Sequence, residues 1–180
     1  AGSGNWGAAL MLDPPAVGRA CAAMSAALPP TIPVSVKCRV GAVSRLEDEG
    51  TDEQLFAGLA AFVGAVVALA PTVRHFVVHA RTAVLGARFS PKENREVPPL
   101  RRHLVLRLAQ EFPEVAFTLN GGVTSLPEVR ELLSRGRLRG VMVGRAALDR
   151  PWHWSSADAS LWGCPGPGLS RRQVLAAFAE

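Results

Sequence analysis

The sequence predicts an α/β protein built from repeated strand–helix units, and two observations carry that expectation. Four short runs, residues 32–36, 76–78, 116–119 and 140–143, are nearly continuous in Val, Ile, Leu or Phe. Nearly continuous apolar runs of that length are expected of parallel strands covered by helices. Helical patterns at residues 15–28, 52–69, 99–112 and 125–135 alternate with them. The order α-β-α-β-α-β-α-β builds either an open doubly wound sheet or a closed (βα)8 barrel.

Each element carries local signals. The string AGSGNWGAALM, residues 1–11, is glycine-rich and reads as a loop, because glycine supplies positive φ and close backbone approach. Pro14-Pro15 opens the helix over 15–28, and Thr51/Asp52 cap the one over 52–69. Ser125 and Glu128 have the spacing of a capping box. After Val143 the texture changes: Pro151, three Trp between 152 and 162, and GCPGPG at 163–168 read as a connector. A further helix starts near Ser170. The expected division is therefore 1–150 for the βα unit and 151–180 for the connector and the start of that new helix.

Composition narrows the function classes. A chain of 180 residues with 48% hydrophobic content can bury a core. Its longest apolar stretch, residues 55–71, is Ala/Gly-rich and shorter than a membrane span requires. Cys21, Cys38 and Cys164 lie far apart, without a CxxC pair. That argues against a zinc site or disulfide framework and for a reducing compartment, with the cytoplasm expected. The net charge of +5 comes almost wholly from Arg, since Lys37 and Lys92 are the only lysines. Arg grips phosphate bidentately, and the same excess is expected of a composition rich in Ala, Gly and Pro.

In βα architectures chemistry gathers where strands run into the next loops. Here those positions are Lys37 and Arg39 in VSVKCR, His79 and Arg81 in FVVHAR, Asn120-Gly121-Gly122 in TLNGG, and Gly144-Arg145 in VMVGR. Glycine-exposed N–H groups before a helix, joined by an Arg, make an anion site. The segment 79–99 is long for a compact fold, and such loops are usually functional. It alternates Arg81, Arg88, Lys92 and Arg95 with Ser90-Pro91 and Pro98-Pro99, which suits a polyanionic partner. Glu93 and Glu96 offer the plainer reading of a loop tied by ion pairs.

The strings FVVHARTAVLGARFSPKENREVPPL, PVSVKCRVG, LNGGVTS and GVMVGR, in that spacing, closely resemble the tRNA-dihydrouridine synthases, in particular the bacterial A-type branch. The resemblance runs from residue 1 to about 155, with one extra residue between Leu85 and Ser90. It implies the C-terminal half of an FMN-binding (βα)8 TIM barrel, strands five to eight, and then the start of a helical tRNA-binding domain. It implies FMN as cofactor, NADPH as reductant, and reduction of a tRNA uridine that has left its stack. Lys37, His79, Asn120, Gly121, Gly122, Gly144 and Arg145 fall among the family's FMN contacts; Arg81, Lys92 and Arg95 would face tRNA. Neither a metal nor a membrane belongs to the family's chemistry, and a monomer is expected at full length.

The sequence departs from the family in two respects. The family's strands one to four, with their Asn-x-Gly-Cys-Pro stretch, have no counterpart, so the chain is expected to be part of a larger product. The family's general-acid Cys falls at Ala9, in GAALM, where a methyl group cannot protonate the reduced base. Loss of a positioned acid costs about 10²–10⁴ in rate. The readings are then a compromised FMN-dependent tRNA-dihydrouridine synthase, a non-catalytic tRNA-binding flavoprotein, or an unrelated phosphate-binding barrel enzyme.

Overall fold

A computed structural model describes residues 6–86, 89–166 and 168–179. The opening AGSGN and Arg88 of the basic loop lie outside the described residues. The main sheet has four parallel strands in the order β1 (Val36–Arg39), β3 (His75–His79), β5 (Ala116–Asn120), β6 (Gly140–Met142). A second parallel pair joins β2 (Ala42–Val43) to β4 (Ala83–Val84). Helices α1 (Pro14–Ala27), α2 (Asp52–Leu69), α4 (Arg102–Glu111) and α5 (Leu126–Ser134) connect the strands, giving the α/β repeat with a parallel sheet. Strand order matches chain order, as right-handed crossovers through intervening helices produce.

Burial alternates along β1 and β5, whereas the three central residues of β3 are all buried. Val36, Cys38, Phe76, Val78, Phe117 and Leu119 are buried together with α2 and α4. Phe76 and Phe117 stack with ring centroids 6.0 Å apart. The intervening residues Lys37, His79 and Asn120 point the other way and line a cleft. The nearly continuous apolar runs suit a parallel sheet covered by helices; residues of α2 and α4 share the core with it, and the cleft opens at its strand ends.

The first strand lies later than expected, at Val36–Arg39 rather than 32–36. Pro33 has no N–H to give a ladder, and Ile32 is exposed instead. Lys37 and Arg39 therefore sit within the strand, Arg39 at its last residue and Lys37 one inward-facing layer below. Helix α4 begins at Arg102, not Pro99: Arg101 is its N-cap, with a non-helical φ of −112° and ψ of 57°, and its N–H reaches the Ala80 carbonyl at 2.8 Å.

Thr51 and Gln54 form a full capping box on α2. Ser125 accepts from the Glu128 N–H, but the Glu128 carboxylate turns to Thr124 and Arg102, so the box is half made. By length and composition alone α2 could cross a membrane. Here its Leu55, Phe56, Leu59, Phe62, Val63 and Val66 are buried in the core. Toward the C-terminus lie α6 (Arg145–Asp149), α7 (Ala157–Trp162) and α8 (Arg171–Phe178). Helix α8 is capped by Ser170 and Gln173 and buries none of its residues.

Candidate functional site: a cationic cleft at the strand ends

The C-terminal ends of β1, β3, β5 and β6 open into a cleft of about 920 Å³, within the range that holds small ligands. Its walls include Ala9, Lys37, Arg39, His79, Arg95, Asn120-Gly121-Gly122 and Gly144-Arg145. All eight residues singled out for cofactor or acid, from Ala9 to Arg145, thus meet in one place. Arg95 joins them, whereas Arg81 and Lys92 do not line the cleft.

Among its described residues the long segment 79–99 is folded rather than loose. It contains β4 and the one-turn helix α3 (Glu93–Glu96), elements too short to leave a periodic pattern. Ser90 and Glu93 cap each other, through Ser90 N–H to Glu93 Oε2 at 2.7 Å and Glu93 N–H to Ser90 Oγ at 3.2 Å. Asn94 pairs with Val84 as a strand would: its amide accepts from Val84 N–H at 2.8 Å and donates to Val84 O at 2.9 Å. Arg39 donates to Asn94 O at 2.8 Å, tying β1 to this segment. Arg81 donates to the carbonyls of Pro98 and Glu96. Its Nε is buried and unpartnered among the described residues. Arg81 therefore holds the loop closed, and Lys92 stands exposed on its outer side.

The glycines after β5 are shaped by close neighbours. Gly121 (φ +123°) and Gly122 (φ +66°) take conformations that side chains disfavour. Arg102 fixes this turn, donating to Gly121 O from Nη2 at 3.0 Å and pairing with Glu128 at 2.8 Å. Glu128 also accepts the Thr124 N–H at 2.8 Å. Burial alone would raise the Glu128 pKa; the Thr124 N–H and Arg102 outweigh it and hold the carboxyl below its usual range. Gly144 differs from the other two: a Cβ there would meet no atom within 4 Å.

Electrostatically the mouth is one-sided. Burial, then Arg39, Lys37, Arg81 and Arg145, drive the His79 pKa down to about 3, so the imidazole is neutral. Lys37 opens to the cleft, yet the protein around it strips enough water to lower its pKa, and the Arg39 charge adds to that. Cys38 faces the core, where burial pushes its thiol up to about 12, Lys37 opposing. Cys21 is buried in α1. Ala9 lies in a 3-10 helix, Gly7–Leu12, and presents only a methyl to the cleft. Arg145 donates from Nη1 to Glu96 Oε1 at 2.9 Å.

Arg39, placed at the strand end with Lys37 from sequence, shares its face, being two residues away on one strand. Glu96, expected in the ion pairs of the loop, is paired with Arg145. Asn94 and Arg102 complete this site beyond the residues named from sequence; they act through contacts across the fold, which spacing does not encode.

Fold and site define a parallel α/β domain with a cation-lined cleft at its strand ends. The chain belongs to the dihydrouridine synthase family, whose pattern it matches over residues 1–180. It is 38% identical over 173 residues to the tRNA-dihydrouridine(20/20a) synthase of Vibrio vulnificus, covering 96% of this chain and 49% of that protein. It is 43% identical over 176 residues to the protein of the same name in Xanthomonas campestris pv. campestris, covering 98% and 48%. With that of Xylella fastidiosa strain 9a5c the identity is 43% over 163 residues, covering 91% and 44%. The chain spans about half the length of the curated relatives it matches.

Proposed function

We propose that this chain is the FMN-binding half of a (βα)8 barrel, strands five to eight, in an enzyme that reduces uridine in tRNA to 5,6-dihydrouridine with NADPH. Residues 1–150 form the barrel part, and 151–180 lead into a helical tRNA-binding domain. The observation that carries this reading is the cleft itself, where three glycines and a set of cations meet a neutral imidazole. The residues fit FMN. Arg145 with the turn Gly121-Gly122 offers donors for a phosphate dianion, and the bare Cα of Gly144 leaves room for close approach. Lys37, His79 and Asn120 lie on the inward face of the sheet to orient a planar ring.

When bound, reduced FMN supplies the hydride that saturates the uracil double bond, and NADPH the electrons that restore it. Arg81 keeps the loop over the cleft, and Lys92 and Arg95 meet the tRNA backbone. Among the described residues no thiol lines the cleft, because Cys38 and Cys21 are buried in the core. Proton delivery to the base is therefore the weak step, and a tRNA-binding flavoprotein without turnover is the second reading that Ala9 favours. Ala9→Cys in the full-length protein tests both. Mass-spectrometric dihydrouridine yield should rise about 10²–10⁴-fold. No rise would overturn the assignment of position 9.

A further inference from the structure

We propose that Glu96 competes with a phosphate-bearing ligand for Arg145: its carboxylate pairs with the guanidinium and gives it up when such a ligand enters the cleft. The inference rests on the reading of the cleft as a flavin phosphate site.

The contact joins two segments far apart in sequence. Arg145 lies on α6 and lines the cleft, whereas Glu96 ends the one-turn helix of the long loop. They meet at 2.9 Å across 49 residues of chain, and Arg145 Nη2 lies 3.5 Å from the Arg95 carbonyl. Two other carboxylates near the cleft have their own work. Glu93 caps Ser90, and Glu128 serves Arg102 and Thr124. Glu96 thus offsets a mouth whose described lining carries Lys37, Arg39, Arg95, Arg145 and Arg150 against Asp149 alone.

The pair is built to be exchanged. Side chains of Arg145 and Glu96 are 54% and 45% exposed, so their net attraction is small. A phosphate dianion offers more charge and more acceptors to the same guanidinium. Giving up Glu96 does not release the loop, because Asn94 on Val84, Arg39 on Asn94 O and Arg81 on Pro98 hold it independently. A carboxylate that must be displaced opposes ligand binding, and removing its charge should strengthen it.

The test is Glu96→Gln in the full-length protein, with FMN and riboflavin affinities read by flavin fluorescence at low and high ionic strength. FMN should bind the variant about three- to five-fold tighter at low salt, the scale of an exposed ion pair, and the gain should shrink at high salt. Riboflavin, which lacks the phosphate, should bind both proteins alike. The thermal midpoint should be unchanged or fall by a few degrees at most. A purely structural Glu96 predicts the opposite sign, weaker FMN binding. Weaker or unchanged FMN binding, or an equal gain for riboflavin, overturns the proposal while the flavin reading stands. Failure of both proteins to bind FMN overturns that reading as well.

Discussion

Gly121 is the position where the shape of the cleft can be broken with one methyl group. A Cβ there would lie 2.8 Å from His79 Cδ2 and 2.9 Å from Leu100 Cδ2, at a φ of +123°. The backbone conformation costs an L-residue about 1–3 kcal/mol. Shifting an imidazole held by the sheet, or the Leu100 side chain against the core, adds about 1–3 kcal/mol. Gly121→Ala should therefore lower the free energy of unfolding by about 2–6 kcal/mol, measured by urea denaturation at neutral pH. It should also displace His79 and weaken FMN binding. Gly144→Ala is the control, since φ is −111° and its methyl would meet no protein atom within 4 Å. Stability should then change by less than at Gly121, since no packing clash adds to whatever its ψ of −106° costs, with FMN affinity reduced because the methyl enters ligand space. A loss below about 1 kcal/mol for Gly121→Ala would refute the packing argument. Full FMN affinity in Gly144→Ala would refute the assignment of that wall to the ligand.

The same geometry produces two pH effects. The His79 pKa is depressed to about 3 by burial and four cations, whereas an unfolded chain binds that proton near pH 6.5. Stability from this site is thus intact above about 6.5 and falls as pH drops toward 3. In the ligand-free protein the His79 ring resonances should not titrate between pH 8 and 5, and a midpoint near 6.5 would contradict the cationic surround. Glu128 has a folded pKa below its ordinary 4.5, so its contribution is present above that value and lost as pH falls through the folded one. Glu128→Gln should cost about 1–3 kcal/mol at pH 7, and denaturation curves should show that cost shrinking toward pH 3.

Much of the site was legible because parallel-sheet chemistry repeats a simple rule: polar residues at strand ends, glycines in the next turns. Lys37, His79, Asn120 and Arg145 each close an apolar run or come just after one, and they meet in one cleft. The first strand was misplaced because Val34 and Val36 look alike to a hydropathy pattern, while Pro33 decides where the ladder can begin. The small β2–β4 pair escaped because two residues carry no period. The SPKENRE string shows a subtler limit. Its cations attract attention as RNA contacts, yet Ser90, Glu93, Asn94 and Glu96 spend their side chains on folding the loop and holding Arg145. Sequence reveals which residues are polar; contacts decide which remain free for a ligand.

The central claim is that this cleft binds a phosphate-bearing flavin through the Gly121-Gly122 turn, Gly144 and Arg145. The direct measurement is the ratio of riboflavin to FMN dissociation constants for the full-length protein, by fluorescence quenching at low ionic strength. Charge-assisted contacts to the phosphate should favour FMN by about tenfold or more, with the preference falling as salt is added. Equal affinity for the two flavins, unaffected by salt, would contradict the account.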